Sequence, residues 1–282
     1  MITGGNSGIG FEAARILAGA GAEVTLAVRD QAKGERVAAE IPGGAKVRRL
    51  DLASLDSVRS FAADTTEPFD VLVNNAGVMA VPFGRTAEGF EVQLGVNHLG
   101  PFALTNLLLP KIGDRVVTVS SGAHRMGRVN LTDLNWERRR YRRWSAYGQS
   151  KLANLLFILA LQRRLTAAGS PVRALAAHPG YSATNLQFHY ANPVVERLMG
   201  VGNRLFAQSA EMGALPTVYA ATQDLPGASY VGPSGRGEKR GYPTLVGRSA
   251  QASDLAMAER LWDASENLTG VRFPDSLTPP PD

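Results

Sequence analysis

The sequence contains no cysteine. This absence excludes disulfide bonds, thiol catalysis and cysteine-ligated metal sites. Only four histidines are present, and they are scattered without the spacing of metal ligands, so no metal site is predicted. A chain without cysteine is compatible with the cytosol, and we expect a cytoplasmic protein.

Long apolar runs and a signal peptide are also missing. The longest apolar run, residues 152–161, is too short to span a bilayer and predicts a buried helix. The N-terminus leads directly into a glycine-rich turn, without the apolar segment of a signal peptide. We therefore expect a protein with no transmembrane anchor.

What the sequence does contain is the composition of a globular domain. Of its 282 residues, 44% are hydrophobic and 20% charged, which is ordinary for a chain that buries a full core. The net charge of +5 fits an anionic ligand and does not by itself predict nucleic-acid binding. Because no break in composition divides the chain, we predict one domain over residues 1–275, followed by a proline-rich tail at 276–282.

Short apolar strands alternate with longer helical patterns along most of the chain. Strands are predicted at residues 1–3, 23–28, 46–50, 69–73, 115–119, 172–176 and 229–232. Helices are predicted at residues 9–20, 31–40, 55–63, 88–112, 146–168, 210–223 and 250–265. This order predicts an α/β fold of Rossmann type, a single-domain, doubly wound parallel sheet with helices on both faces.

A glycine-rich turn follows the first strand and opens the first helix. Glycines in such a turn let the backbone approach a pyrophosphate, whose charge lies at the helix N-terminus. The spacing is T-G-x-x-x-G-x-G, and the alternative is an ordinary tight strand-to-helix turn. The residues predicted to bind a dinucleotide here are Gly4, Asn6, Ser7, Gly8, Ile9 and Gly10.

The end of the second strand carries Arg29, followed by Asp30. A guanidinium at this position favours a ribose 2′-phosphate through charge-assisted hydrogen bonds. A one-residue shift would instead place the Asp30 carboxylate near the ribose, although Asp30 could also cap the helix that starts at Gln31. We predict that NADP(H) is preferred over NAD(H).

Two further strand ends face the same crevice of the predicted sheet. Asp51 and Leu52 follow the third strand, where Asp51 could accept from an adenine amino group or cap a helix. Asn75, Ala76 and Gly77 follow the fourth strand and bring small side chains near the ligand. All five residues are predicted to contact the dinucleotide.

Candidate acid–base residues lie on the fifth predicted helix, at residues 146–168. Tyr147 and Lys151 stand four residues apart, which places both side chains on one helix face. The lysine charge favours the phenolate, so we expect the pKa of Tyr147 to be pulled down toward neutrality. Ser121, at the end of the neighbouring fifth strand, could point its hydroxyl at the same crevice.

Taken in order, these segments resemble the short-chain dehydrogenase/reductase family over nearly the whole stretch from Thr3 to Phe273. Within the family, the chain looks most like the branch that contains the retinol dehydrogenases, the WW-domain oxidoreductase and protochlorophyllide reductase. The motifs that carry the resemblance are the glycine turn, the segment 74–77, Asn97 in 96–100, Ser121, Tyr147 with Lys151, Pro179-Gly180 and Thr184.

The resemblance implies a role for each matching residue. Tyr147 would be the general acid in reduction and the general base in oxidation, and Lys151 would lower its pKa and hold the nicotinamide ribose. Ser121 would hydrogen-bond the substrate oxygen, and Asn97 would support a water that connects Lys151 to solvent. The backbone after Pro179 and Gly180, together with Thr184, would hold the carboxamide and the phosphates.

We therefore predict an NADP(H)-dependent oxidoreductase that interconverts a lipophilic alcohol and its aldehyde or ketone. The alternative is a catalytically silent protein that senses a dinucleotide or binds a partner. The mixed segment 185–209 is predicted to form a lid over an apolar pocket. The arginine-rich run 138–143 is interpreted as a solvated insertion rather than a nucleic-acid site, and a homo-oligomer is compatible with the resemblance.

Overall fold

One sheet of eight strands organises the computed structural model, which describes residues 1–181 and 208–277. The strands lie side by side in the order β3-β2-β1-β4-β5-β6-β7-β8. Their bounds are β1 Ile2–Thr3, β2 Thr25–Val28, β3 Lys46–Arg49, β4 Phe69–Asn74, β5 Ile112–Val119, β6 Arg173–Ala177, β7 Tyr230–Pro233 and β8 Pro243–Leu245. The strand order reverses between β1 and β4, which is where ligands bind in open α/β sheets.

The first seven strands are parallel, as predicted, but β8 is antiparallel to β7. The sequence pattern did not identify β8, which has only three residues. The connection from β7 to β8 is too short to hold a crossover helix, so the chain can return only as an antiparallel neighbour. The predicted Rossmann-type fold is confirmed, with this one strand added at the edge of the sheet.

The helices flank the sheet on both faces. Numbered over the described residues, they are α1 Gly8–Gly19, α2 Gln31–Ala38, α3 Leu55–Ala63, α4 Val92–Leu94, α5 Gly100–Leu108, α6 Arg143–Ala167, α7 Ala210–Thr222 and α8 Leu255–Thr269. A π-helix over Gly95–Leu99 joins α4 to α5, and a 3-10 turn over Leu109–Lys111 leads into β5. Within the described ranges, no helix is both long and apolar enough to cross a membrane.

The prediction of a long, partly interrupted helix over residues 88–112 is wrong at both ends, although the π-helix does interrupt it. The Glu91 carboxylate accepts hydrogen bonds from the backbone N–H groups of Gln93 and Leu94, so it caps a helix that begins only at Val92. At the other end, Ile112 already belongs to β5. Side-chain capping therefore overrides the apolar periodicity on which the prediction depended.

The predicted helix over residues 250–265 is divided in two. Ser249 caps a 3-10 turn over Ala250–Ser253 by accepting from the backbone N–H of Ala252. Asp254 then adopts an extended backbone and caps α8 by accepting from the N–H of Met257 at 2.9 Å. Two caps within six residues make one continuous helix impossible here.

Alternating residues of each strand feed two separate apolar layers. Leu72 and Val116 point into the layer beneath α5, α6 and α8, whereas Val73 and Val117 point into the layer beneath α1 and α7. Helix α6 is buried along residues 146–158, because it packs against the sheet, α8 and the 3-10 segment Gly122–Met126. The side chains of this part of α6 are therefore held by packing, even where they reach a cleft.

Some predicted features lie outside the described residues. These are Thr184, residues 185–207 of the predicted lid, and residues 278–282 of the proline-rich tail. The remaining lid residues, Gln208 and Ser209, are described, and Ser209 caps α7 by accepting from the N–H of Met212. Residues 276 and 277 belong to a 3-10 turn over Asp275–Leu277.

Candidate functional site

A cleft of about 520 Å³ runs along the carboxyl ends of β1 to β5. Its volume falls within the range of small-molecule sites in proteins. Most of the residues predicted to bind a dinucleotide line it: Gly4, Asn6, Ser7, Gly8, Ile9, Gly10, Arg29, Asp51, Leu52, Asn75, Ala76, Gly77, Tyr147, Lys151 and Pro179. The cleft therefore brings together the segments that follow β1 to β5 and Pro179, which follows β6.

The glycine turn needs glycine for steric reasons. Gly4 and Gly8 have positive φ angles of 66° and 56°, a region that other residues rarely adopt. A Cβ at Gly10 would lie 2.3 Å from the Asn75 amide nitrogen, and one at Gly4 would lie 2.9 Å from Ala76. Any larger residue at these positions would push the turn away from the loop that follows β4.

Thr3 fixes this turn to the loop after β4, a role that was not predicted. Its buried hydroxyl accepts from the backbone N–H groups of Asn75 and Ala76, at 3.0 Å each. In return, the Asn75 side-chain amide donates to the carbonyl oxygens of Thr3 and Gly4, at 2.9 and 3.3 Å. Asn75 therefore both lines the cleft and holds the backbone of the glycine turn in place.

The N-terminus of α1 opens into the cleft without a side-chain cap. Ser7 forms no capping hydrogen bond, and the first turn has no acidic residue, whereas Asp30 caps α2 and Ser54 caps α3. The partial positive charge of this helix end therefore remains available to an anion. Together with the glycine backbone beside it, this end suits the pyrophosphate of a dinucleotide.

The far end of the cleft carries two cations. Arg29 and Lys33 both line it, and Lys33 was not predicted. Asp30 lies beside them, but its carboxylate accepts from the backbone N–H of Lys33 at 2.9 Å, so it serves as the helix cap that was one of its two predicted roles. Arg29 is exposed and forms no hydrogen bond or ion pair with the described residues.

Asp51 lines the cleft and does not cap the helix that follows it. One carboxylate oxygen accepts from the backbone N–H of Ala53 at 2.9 Å, which stabilises the turn before α3. The side chain nevertheless lines the cleft next to Leu52. Ser54, rather than Asp51, caps the helix, because its hydroxyl accepts from the N–H of Ser57.

At the other end of the cleft, α6 presents Tyr147 and Lys151, only 8% and 4% exposed. The Lys151 Nζ lies 5.8 Å from the centre of the Tyr147 ring and donates to the carbonyl oxygen of Val119, the last residue of β5, at 3.0 Å. Burial lowers the pKa of Lys151 to about 8. The lysine is therefore an ammonium group held at the carboxyl end of a central strand.

The expected downward shift of the Tyr147 pKa is wrong for this structure. Burial raises that pKa to about 12, and the side-chain interaction with Ser121 lowers it only in part. The spacing argument considered the charge of Lys151 and left out desolvation, which favours the neutral phenol. Tyr147 is therefore protonated at neutral pH.

Two serines follow β5, and each contacts a different part of the site. The buried Ser120 hydroxyl donates to the backbone carbonyl of Lys151 at 2.8 Å, which fixes α6 to the end of the strand. Ser121 interacts with the Tyr147 side chain, and its hydroxyl also accepts from the backbone N–H of Ala123 at 3.2 Å, but Ser120 rather than Ser121 lines the cleft. The structure therefore brings Ser121, Tyr147 and Lys151 together.

Asn97 lies in the π-helix and is held by its own hydrogen bonds. Its side-chain oxygen accepts from the backbone N–H of Val78 at 2.7 Å. Its side-chain nitrogen donates to the carbonyl oxygen of Val78 and to the Ser150 hydroxyl, at 2.9 Å each. A Cβ at Gly77 would lie 3.0 Å from the Asn97 oxygen and 3.4 Å from the Lys151 Nζ. Gly77 therefore leaves the space that keeps these two side chains next to the cleft.

The segment after β6 contributes Pro179 to the cleft, whereas Gly180 lies beside it. Gly180 has a φ angle of 67°, and a Cβ there would lie 2.6 Å from the carbonyl oxygen of Lys239. The backbone N–H of Gly180 donates to the Nδ1 of the buried His178 at 3.2 Å. Burial lowers the pKa of His178 to about 4, so this histidine is a neutral structural contact.

The arginine-rich run 138–143 is only partly a solvated insertion. Arg139 turns inward, with its guanidinium 3.6 Å from the centre of the Trp136 ring and its Nη2 donating to the side chain of Gln149 at 2.6 Å. Tyr141 also turns inward and accepts a hydrogen bond from the Gln93 side chain at 2.7 Å. The other four arginines of the run are exposed.

Comparison with known proteins identifies the family. Residues 1–192 match the family model described as short chain dehydrogenase. Human retinol dehydrogenase 13 is 41% identical over 97% of this chain and 85% of its own length, and human retinol dehydrogenase 12 is 42% identical over 97% and 86%. The crystal structure of an uncharacterized protein from Mycobacterium paratuberculosis is 57% identical, with a TM-score of 0.85 over 97% of this chain and 93% of that one.

This chain belongs to the short-chain dehydrogenase/reductase family, in its retinol dehydrogenase-like branch. It is an oxidoreductase that acts on CH–OH groups, and the fold of this family binds a nicotinamide dinucleotide. The resemblance deduced from the motifs is confirmed.

Replacing Thr3 tests whether it braces the glycine turn. Thr3→Val removes the acceptor of the Ala76 N–H and one of the two acceptors of the Asn75 N–H, which also donates to the Val73 carbonyl. The free energy of unfolding should therefore fall by about 1–3 kcal/mol, and NADPH should bind more weakly. Thr3→Ser keeps the hydroxyl and should lose about 1 kcal/mol with near-normal binding. Urea unfolding and calorimetric titration check both, and equal losses in the two variants would contradict the role of the hydroxyl.

Lys151→Met tests the burial of the ammonium. The unfolded lysine keeps its proton up to about pH 10.5, whereas the folded one releases it above about pH 8. Between about pH 8 and 10.5, the unfolded state therefore binds more protons than the folded state. Below about pH 8, burial of the charge lowers the free energy of unfolding by about 3 kcal/mol. In Lys151→Met, the carbonyl oxygen of Val119 still accepts a hydrogen bond, because the side-chain amide of Asn154 also donates to it.

The excess stability of Lys151→Met over the wild type should accordingly be largest at pH 7 and shrink as the pH rises from about 8 to 10.5. Urea unfolding of both proteins across this range measures the difference. An excess that stayed constant with pH would show that the lysine is not desolvated.

Proposed function

We propose that this protein is an NADP(H)-dependent oxidoreductase that interconverts a lipophilic alcohol and its aldehyde or ketone, with Tyr147 as the acid–base group. The observation that carries this proposal is the convergence of Tyr147, Lys151 and Ser121 at one end of a cleft whose other residues suit a dinucleotide. The residues come from two separate elements, the end of β5 and the first turns of α6.

In reduction, the Tyr147 hydroxyl donates its proton to the oxygen of the carbonyl substrate. The raised pKa of Tyr147 suits this direction, because the phenol is fully protonated until negative charge develops on that oxygen. The Ser121 hydroxyl would hydrogen-bond the same oxygen. The Lys151 ammonium lies close enough to stabilise the phenolate that remains, and such stabilisation is stronger in a buried site than in water.

When bound, the dinucleotide supplies the hydride. The residues that would hold it are those of the glycine turn at the N-terminus of α1, Asp51 and Leu52 beside the adenine end, and Lys151 beside the nicotinamide ribose. Pro179 and Gly180 would bound the nicotinamide. Thr184, outside the described residues, is proposed for the carboxamide on the motif alone.

The preference for NADP(H) is supported by the charges at the far end of the cleft. Arg29 and Lys33 supply two cations, and the carboxylate of Asp30 is engaged in capping α2. Two positive charges against the single negative charge of Asp30 leave this end of the cleft with a net positive charge, which favours a ribose 2′-phosphate. One oxygen of the Asp30 carboxylate is occupied by the helix cap, which makes Asp30 a poorer partner for a 2′-hydroxyl.

A lipophilic substrate is supported by apolar side chains of the cleft that also contains Tyr147. Val78, Met79, Val92 and Val96 all line the cleft and offer no hydrogen-bonding side chain. Retinol dehydrogenases 12 and 13 are named for a long apolar alcohol. Retinoid-like aldehydes and other apolar carbonyl compounds are therefore the substrates to try first.

Tyr147→Phe tests the acid–base assignment. The change removes only the hydroxyl, so turnover of an apolar aldehyde should fall by about 100-fold or more, while the dissociation constant of NADPH changes by less than about threefold. Tyr242→Phe, at an exposed tyrosine, is the matched control and should keep wild-type activity. Oxidation of NADPH, followed optically, measures turnover.

Near-normal turnover by Tyr147→Phe would contradict the mechanism. If the wild-type protein bound NADPH but reduced no carbonyl compound in a broad panel, the dinucleotide-sensing alternative would be favoured instead.

Arg29→Ser tests the cofactor preference. A charge-assisted hydrogen bond contributes about 1.5–3 kcal/mol, so the affinity for NADPH should fall by about 10- to 100-fold. NADH lacks the phosphate, and its affinity should change by less than about twofold. Arg36→Ser, at an exposed arginine of α2 that does not line the cleft, should affect neither. Tighter binding of NADH than of NADPH by the wild type would overturn the assignment.

A further inference from the structure

A fully buried histidine lies next to Ser121. His124 is 0% exposed and belongs to the 3-10 segment Gly122–Met126, which directly follows that serine. Its ring makes an edge-to-face contact with Tyr230, with ring centres 5.7 Å apart. His124 does not line the cleft, so any effect that it has on the reaction has to pass through neighbouring residues.

Both ring nitrogens of His124 have backbone partners. Nδ1 lies 2.7 Å from the carbonyl oxygen of Ser121, and Nε2 lies 3.3 Å from the backbone nitrogen of Ser249. A backbone N–H only donates, so Nε2 has to be the acceptor, and the neutral ring then carries its proton on Nδ1. A carbonyl oxygen only accepts, so Nδ1 donates to Ser121. A single tautomer of the neutral imidazole therefore satisfies both contacts.

The state of this ring differs from that of the other histidine near the site. Burial lowers the pKa of His124, although the hydrogen bond to Ser121 opposes the shift, so the ring is neutral at pH 7. His178 accepts from the backbone N–H of Gly180 through Nδ1, so its proton lies on Nε2. The two buried histidines can therefore be distinguished by the nitrogen that carries the proton.

The contact with His124 orients Ser121 through the peptide group that joins Ser121 to Gly122. The Ser121 carbonyl accepts from the backbone N–H of His124 at 3.0 Å as well as from its ring. Two donors fix the plane of this peptide and the turn that follows it. The same turn supplies the Ala123 N–H, which donates to the Ser121 hydroxyl and leaves the proton of that hydroxyl for another acceptor.

The 3-10 segment is also held against α6. A Cβ at Gly148 would lie 3.0 Å from the carbonyl oxygen of Ala123, and a Cβ at Gly127 would collide with the carbonyl group of Gly148. These two glycines let the backbones approach each other one residue after Tyr147. Backbone packing and the hydrogen bonds of His124 together fix the position of Ser121 relative to Tyr147.

We propose that His124 is a positioning residue, which fixes the Ser121 hydroxyl for its hydrogen bond to the substrate oxygen. This inference rests on the proposed function, because it adds a residue that supports the groups acting with Tyr147. A misplacement of about 1 Å in an active site can reduce the rate by about 100-fold. The loss caused by replacing His124 should not exceed the loss caused by removing the Ser121 hydroxyl, because the histidine acts through it.

Two variants separate the two hydrogen bonds of the ring. In His124→Asn, the amide nitrogen can take the place of Nδ1 and donate to Ser121, whereas in His124→Gln the amide oxygen can take the place of Nε2 and accept from Ser249. For decanal, or the best aldehyde of a panel, kcat should fall by about 10-fold in His124→Gln and by less than about threefold in His124→Asn. The dissociation constant of NADPH should stay within about twofold in both, because His124 does not line the cleft.

A double-mutant cycle tests whether the effect passes through Ser121. Ser121→Ala should lower kcat at least as much as His124→Gln does, and adding His124→Gln to Ser121→Ala should change kcat by less than about twofold. If the two effects instead multiplied, or if His124→Asn and His124→Gln lost activity equally, the positioning role would be overturned and the proposed function would stand. Wild-type turnover by Ser121→Ala would also overturn the positioning role.

The tautomer provides a readout that needs no turnover. Nitrogen-15 NMR of the imidazole rings at pH 7 should show a proton on Nδ1 of His124 and on Nε2 of His178, with the His124 signals identified by their loss in His124→Asn. A proton on Nε2 of His124 would overturn the contact with Ser121, whatever the activity. If the wild type reduced no aldehyde or ketone of the panel, the proposed function would fail and the positioning role with it, even with the expected tautomer.

Discussion

The buried ammonium group of Lys151 is the constraint on which the site depends. Burial disfavours the charged form of Lys151 and lowers its pKa. The side chain therefore stays in this position because the groups around it hold it there. The carbonyl oxygen of Val119 accepts from it, Gly77 leaves room for it, and Asn97 lies next to it. Each of these groups belongs to a different element, so the site forms only when the sheet and its helices are assembled.

Two sets of contacts supply that rigidity. Helix α6 is enclosed between the sheet and α8, which fixes the positions of Tyr147 and Lys151 relative to the end of β5. On the other side of the cleft, the Thr3 hydroxyl and the Asn75 amide tie the glycine turn to the loop after β4. Helix packing therefore holds the residues proposed to meet a substrate, whereas side-chain hydrogen bonds hold the turn proposed to meet a dinucleotide.

Sequence reasoning predicted the fold and most of the cleft, because both depend on local patterns. Strands alternating with helices predicted the parallel sheet, and helix 55–63 was predicted with the bounds that the structure shows. Features that depend on three-dimensional surroundings were missed. Lys33 lines the cleft because it lies in the first turn of α2, which begins at Gln31. The pKa of Tyr147 is set by burial, which the spacing of residues does not reveal.

The same burial bears on the chemistry, because it keeps Tyr147 in the form that donates a proton. The most direct test of the account is the reduction of an apolar aldehyde with NADPH that carries deuterium at both positions of the nicotinamide C4. The account predicts an alcohol with one deuterium on the former carbonyl carbon. An alcohol without deuterium at that carbon would contradict it.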